Sequence, residues 1–85
     1  MSTYNGHRSW AYWNVSLWIG NDEGLYRLAL DCIKQAKTRR EAARAFIVDL
    51  VECGYKHRTE LGAVSTPDGA AFSVDKVVCA MRGLS

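Results

Sequence analysis

The chain has 85 residues, of which 48% are hydrophobic and 24% charged, and its formal net charge is +2. This length allows one domain, and the balance of apolar and charged residues is typical of a globular domain rather than a disordered tail. A charge of +2 is too small to indicate nucleic-acid binding by itself, and no apolar run approaches the ~20 residues of a membrane span. We therefore expect one small domain over residues 1–85 that does not cross a membrane.

The three cysteines, Cys32, Cys53 and Cys79, cannot all pair within one chain. The N-terminus lacks the charged and then apolar pattern of a signal peptide. Together these features predict free thiols in a reducing compartment and hence a cytoplasmic protein. Apolar residues lie within two positions of each cysteine, which favours a small buried side chain over a nucleophile or metal ligand.

The segment 10–19 is apolar except at two positions, and two templates compete for it. In a helix, Trp10, Trp13 and Leu17 would share one face. In a half-buried strand, the apolar residues at every second position, Trp13, Val15, Leu17 and Ile19, would face the core. Ser9 is a suitable N-cap, and an isolated strand would need partners that the chain barely offers. We predict a helix here.

A second helix is predicted over residues 22–36. Gly20 is expected to end the first helix and Asn21 to cap the second, whose first turn carries two carboxylates, as the helix dipole favours. An apolar stripe recurs at three- and four-residue steps. It consists of Leu25, Leu28, Ala29, Cys32, Ile33 and Ala36.

Thr38 followed by Glu41 is the capping-box pattern and predicts the start of a third helix. Gly54 is expected to end that helix in a left-handed conformation. The predicted core stripe is Ala43, Phe46, Ile47, Leu50 and Val51.

Residues 55–72 are rich in turn-forming residues and read as a long loop, with a short strand at 61–64 or a hairpin within 55–72 as options. Ser73 then caps a last helix, which Gly83 ends. Its apolar face consists of Val74, Val77, Val78, Met81 and Leu84. The predicted fold is mainly α, a compact bundle of about four short helices.

No catalytic constellation is evident. The two histidines, His7 and His57, have no neighbouring carboxylate in sequence to orient them, and no motif marks a nucleophile. Zinc sites usually contain Cys-x-x-Cys pairs, which are lacking, and the scattered glycines match no nucleotide-binding motif. We expect a protein that is not an enzyme and that uses no cofactor or metal.

Basic residues concentrate on the segment 34–44. The second and third helices could form a helix-turn-helix that uses this basic face on DNA, although acidic residues flank it. A solvated basic face is the plainer interpretation. If the chain binds nucleic acid, the contacts are Arg39, Arg40, Arg44, Lys56 and Arg58.

Aromatic residues crowd the first helix, with Trp10, Tyr12, Trp13 and Trp18 within nine positions. Aromatic side chains dominate both protein cores and interface hot spots. The core of an 85-residue chain is too small to bury them all easily. One or two rings could therefore form a patch for a partner or a second copy while the others pack inside.

Several segments resemble small proteins encoded by bacteriophages and other mobile elements. These are Ser2-Thr-Tyr-Asn-Gly-His7, Ser9-Trp10, Trp13-Asn-Val-Ser-Leu-Trp-Ile19, Asn21-Asp-Glu-Gly-Leu-Tyr-Arg-Leu-Ala29 and Thr66-Pro-Asp-Gly69. Phage proteins of this size without enzymatic motifs are often inhibitors of host defence, such as anti-CRISPR or anti-restriction proteins. The resemblance therefore implies an inhibitor in the host bacterial cytosol that sterically blocks a CRISPR effector.

Such an inhibitor would use carboxylates to meet basic residues and aromatic rings as anchors. The residues expected to contact the partner are Trp18, Asp22, Glu23 and Asp31. Complementary charge would chiefly speed association and select the partner. One alternative is a small DNA-binding accessory regulator that uses the basic 34–44 face. Another is an assembly protein that acts by self-association. We expect the chain to be a monomer or a small homo-oligomer.

Overall fold

The computed structural model describes residues 9–84 and contains four helices in this range. They are α1 (Trp10–Asn21), α2 (Glu23–Gln35), α3 (Arg39–Glu52) and α4 (Val74–Arg82). The prediction of a mainly α bundle is confirmed, and the first apolar segment is a helix rather than a strand. None of these helices is long and apolar enough to cross a membrane.

Every helix begins after a residue whose side-chain oxygen accepts a backbone N–H bond, as the capping patterns predicted for three of the four. These residues are Ser9, Asp22, Thr38 and Ser73. In the capping box, Thr38 accepts from the N–H of Glu41 at 3.1 Å. The Glu41 carboxylate reaches back and accepts from the N–H of Lys37 at 3.4 Å, one residue before Thr38, whose N–H is the donor in a standard capping box.

The junction between α1 and α2 differs from the prediction. Gly20 does not end α1, and Asn21 does not cap α2, because α1 continues through Asn21. Asp22 performs both tasks: its N–H donates to the carbonyl of Trp18, and its carboxylate accepts from the N–H of Leu25. A carboxylate is a strong N-cap and also interacts favourably with the helix dipole, so one residue suffices to turn the chain.

The helices surround one hydrophobic core. α1 and α3 each pack against both α2 and α4, so that they lie at opposite corners of the bundle. The largest fully buried apolar side chains come from three of the helices and are Phe46, Ile19, Met81, Val15 and Val77.

Two helices bury faces that partly differ from the predicted ones. α1 buries Asn14, Val15 and Ile19, and in α3 Ala42 is buried whereas Val51 is 48% exposed. α1 carries no charged residue that would distinguish an outer from an inner side, so the packing of the bundle decides which of its faces is buried.

Residues 57–72, which we call the ribbon, form most of the predicted loop and contain three short segments joined by two tight turns. The segments pair through antiparallel bridges, Arg58 with Val64 and Ser65 with Ala71. The optional strand at 61–64 does not form, because only its last residue takes part in a bridge. The ribbon contributes to the core through Phe72, whose ring meets that of Phe46 edge to face at 5.7 Å.

Candidate partner-binding site

A cleft of about 410 Å³ lies between α2 and α3. Its lining is Leu28, Asp31, Cys32, Gln35, Ala36, Glu41, Ala45 and Asp49. This lining combines apolar side chains with three carboxylates and contains no cation. We call this feature the acidic cleft.

The three carboxylates of the acidic cleft, Asp31, Glu41 and Asp49, are exposed. Within residues 9–84, the ion pairs join other residues, Arg27 to Glu23 at 2.7 Å and Arg40 to Asp75 at 3.2 Å. The cleft carboxylates thus have no ion-pair partner in this part of the chain.

Cys32 lies at the base of the acidic cleft and is only 6% exposed. Burial raises the pKa of its thiol to about 11, and the charges of Asp49 and Asp31 contribute to the shift. Its Sγ lies 3.9 Å from Oδ2 of Asp49. A thiol with this pKa stays protonated at neutral pH, so it contributes an apolar surface rather than a nucleophile.

A second polar cluster joins the ribbon to α1, and we call it the tether. Oδ2 of Asp68 accepts hydrogen bonds from Nδ2 of Asn14 and from Nε1 of Trp18, each at 2.9 Å. The hydroxyl of Thr66 donates to Oδ1 of Asn14 and accepts from the N–H of Ala70. Asn14 and Thr66 are each only 1% exposed, so these bonds satisfy polar groups that would otherwise be buried without partners.

Sequence reasoning did not identify the tether. The only signals were Asn14 as a polar residue inside an apolar segment and the Thr66-Pro-Asp-Gly69 turn, and nothing in sequence connects residues that are 50 or more positions apart. The hydrogen bonds from Asn14 and then Trp18 hold the pKa of Asp68 below its ordinary value. These contacts give the tether a structural role.

The four residues predicted to contact a partner have four different surroundings. Trp18 is half-buried in the tether, and Asp22 caps α2. Glu23 is exposed and paired with Arg27 on the next turn. Asp31 alone lies in the acidic cleft, so the structure does not gather the four residues into one cluster.

The predicted nucleic-acid contacts are also separated by their partners. Arg40 is paired with Asp75 of α4, and Arg58 donates to the carbonyls of its own loop. Arg39 is half-buried, whereas Arg44 and Lys56 are exposed. α2 and α3 are joined by only three residues, 36–38, as a helix-turn-helix would require.

The tryptophans have different surroundings. Trp18 packs against the core, whereas Trp10 is 39% exposed and Leu17 37% exposed. Trp13 is half-buried. The face shared by Trp10, Trp13 and Leu17 is therefore the outer side of α1 rather than its core side.

Titratable groups elsewhere assemble no metal site. No group of three or more His, Cys, Asp or Glu in residues 9–84 could hold a metal ion. Cys32, Cys53 and Cys79 are free thiols, as predicted. His57 packs edge to face against Tyr55 at 5.6 Å, and His7 lies outside the described residues.

These features define a class: a small four-helix bundle with an extended ribbon pinned to its first helix and an acidic cleft between its second and third. The chain belongs to DUF7249, a family of unknown function whose model matches residues 1–81. No curated protein and no solved structure matches the chain.

Proposed function

We propose that this protein is a non-catalytic binding protein whose acidic cleft holds a basic segment of a partner protein. The observation that carries the proposal is the set of three exposed carboxylates, Asp31, Glu41 and Asp49, around an apolar base without a cation. Such a surface attracts cationic groups, and complementary potential speeds encounter and rejects unsuitable partners.

The chemistry of the cleft suits an arginine or lysine side chain of the partner. The aliphatic stem of such a side chain packs on apolar surface while its charged end stays among polar groups. Here Leu28 and Ala36 provide apolar surface, and the carboxylates of Asp31 and Asp49 provide charged acceptors. Charge-assisted hydrogen bonds of this kind are about twice as strong as neutral ones.

The partner class follows from the resemblance to proteins of phages and mobile elements. We propose that the protein is an inhibitor of host defence that works in the bacterial cytosol and occupies a basic surface of a CRISPR effector. Nucleic-acid channels are lined with lysine and arginine, so an acidic cleft of this type would compete with the phosphate backbone. Of the sequence-predicted contacts, Asp31 fits this role best, and Glu23 is exposed on the same helix.

The proposal can be tested by affinity capture from a bacterial lysate followed by binding measurements with the purified partner. We expect a CRISPR or other nucleic-acid-binding defence complex to be retained. The double substitution Asp31→Asn with Asp49→Asn should weaken its binding at least about tenfold, which is about 1.4 kcal/mol. The binding of the parent protein should also weaken as salt is raised.

Glu52→Gln provides the matched control, because it removes an exposed carboxylate of α3 that does not line the cleft. Circular dichroism of each variant checks that the bundle still folds. Equal binding by the double variant and the control would refute the role of the acidic cleft.

A DNA-binding regulator is the competing function, and the short connection between α2 and α3 together with exposed Arg44 and Lys56 favours it. Fluorescence anisotropy with a random DNA duplex distinguishes the two. The inhibitor model predicts no binding to the duplex. Binding that weakens steeply with salt and that Arg44→Gln reduces would instead support the regulator.

A further inference from the structure

The ribbon carries an apolar groove of about 620 Å³. Its lining is Arg58, Thr59, Glu60, Leu61, Ala63, Gly69 and Ala71. We call it the ribbon groove. The two alanines are small, and Gly69 has open space where a Cβ would stand, so the groove has room for an additional side chain.

Leu61 stands at the tip of the first turn and is 98% exposed. The turn is closed by the N–H of Gly62 donating to the carbonyl of Thr59 at 2.9 Å, and Gly62 has a φ of 91°. A fully exposed leucine on a hydrogen-bonded turn therefore forms part of the wall of an apolar groove. Burial of Leu61 and of the groove against another surface would remove this apolar area from water.

The charges on the rim of the ribbon groove are balanced, with one cation, Arg58, and one anion, Glu60. Arg58 is held in place by hydrogen bonds from Nε to the carbonyl of Tyr55 at 3.1 Å and from Nη1 to the carbonyl of Gly62 at 3.2 Å. A guanidinium has five N–H donors, so others stay available. Glu60 is exposed and has no ion-pair partner among residues 9–84.

We propose that the ribbon groove binds a second copy of this chain in a two-fold symmetric dimer. In a two-fold interface, each contact between residues i and j occurs twice with the copies exchanged. Leu61 of each copy occupies the groove of the other, beside Ala63, Gly69 and Ala71. Arg58 of each copy then faces Glu60 of the other, and both charges are paired.

A second copy fits better than an unlike partner for two reasons. The rim has no net charge with which to select an acidic or a basic protein. In addition, the projecting leucine and the groove that would receive it lie on the same loop, which is the arrangement that a self-complementary surface requires. The dimer does not depend on the acidic cleft and would present two such clefts to a partner, which strengthens binding through avidity.

Sedimentation equilibrium over a wide concentration range tests the dimer. We expect the parent protein to associate reversibly and Leu61→Asp to weaken this association more than tenfold, because the substitution places two charges in apolar surroundings. Val48→Asp is the control: Val48 is 50% exposed on α3 and outside the ribbon groove, so this variant should associate like the parent. A parent protein that stays monomeric up to its solubility limit would overturn the proposal, as would equal effects of the two substitutions.

Charge exchange tests the geometry of the pairing. Glu60→Arg alone places like charges opposite each other at both positions and should abolish the dimer, as should Arg58→Glu. A mixture of the two single variants should restore a heterodimer, because every facing pair is again of opposite sign. Failure of the mixture to associate, with both variants folded by circular dichroism, would exclude this arrangement. Binding of Leu61→Asp to the captured partner is measured separately, so the dimer and the acidic cleft can fail independently.

Discussion

At the scale of single residues, two polar side chains of α1 have opposite environments although they are only two positions apart. Asn14 is buried and uses both ends of its amide in the tether. The hydroxyl oxygen of Ser16 is also buried but has no hydrogen-bond partner in the described residues. Because a buried polar group stabilises a fold only when it is paired, substitution of the two residues should have opposite consequences.

We expect Asn14→Ala to lower the free energy of unfolding by about 2 kcal/mol, since the hydroxyl of Thr66 loses its buried acceptor. Ser16→Ala removes an unpaired hydroxyl and introduces the best helix former, so it should leave the free energy unchanged or raise it by about 0.5 kcal/mol. Urea unfolding of both variants and the parent measures the difference. A loss for Ser16→Ala as large as that for Asn14→Ala would show that the tether is not what stabilises this region.

At the scale of helices and turns, the sequence predicts types and starts better than faces and ends. The capping residues Ser9, Thr38 and Ser73 act locally, so their positions could be predicted without the fold. The stripe of α2 follows from its periodicity, because charged residues occupy the opposite side. α1 has no charged residue, and its inner face depends on where α2, α4 and the ribbon lie against it, which the sequence does not reveal.

The acidic cleft illustrates the same limit. Asp31 was predicted to contact a partner, but Glu41 and Asp49 belong to another helix and were interpreted as a cap and as neighbours of a basic segment. Their meeting across the cleft depends on how α2 and α3 pack. The tether, which joins α1 to residues 50 to 54 positions further along the chain, could not be predicted for the same reason.

Gly54 and Gly20 were both expected to end a helix, and only Gly54 does. Alanine substitution at these two positions should therefore change stability in opposite directions. Gly54 has a φ of 74°, so Gly54→Ala should lower the free energy of unfolding by about 1 kcal/mol. Gly20 lies inside α1 with open space around its Cβ position, and Gly20→Ala should raise it by about 0.5–1 kcal/mol. Thermal unfolding monitored by circular dichroism gives the two signs, and the same sign for both substitutions would contradict the assignment of the helix ends.

At the scale of the whole molecule, the bundle and the ribbon are held together by different forces. The four helices share an apolar core, and Phe72 inserts the end of the ribbon into it against Phe46. The middle of the ribbon depends on the tether, whose central carboxylate, Asp68, is exposed to solvent. We therefore expect acid to act on the attachment of the ribbon before it acts on the core.

The sign of this pH dependence follows from the tether. The pKa of Asp68 in the folded protein lies below the ordinary value of 3.8, because the carboxylate accepts hydrogen bonds from Asn14 and Trp18. A carboxyl group with a lowered folded-state pKa contributes stability that is fully present above the unfolded-state pKa and is lost as pH falls through the folded-state pKa. We therefore expect stability to decrease as the solution is acidified below 3.8, and the indole N–H resonance of Trp18 to shift in the same range while that of Trp10 does not.

Asp68→Asn removes the titrating group, so this variant should be less stable than the parent at neutral pH and should lose less stability on acidification. Glu52→Gln, which removes an exposed carboxylate far from the tether in sequence, should keep the acid dependence of the parent. Urea unfolding at a series of pH values, combined with NMR of the indole N–H groups, measures both effects. Parallel pH profiles for Asp68→Asn and the parent would mean that acid acts on the molecule elsewhere, because the variant lacks the carboxyl group that would take up a proton at this position.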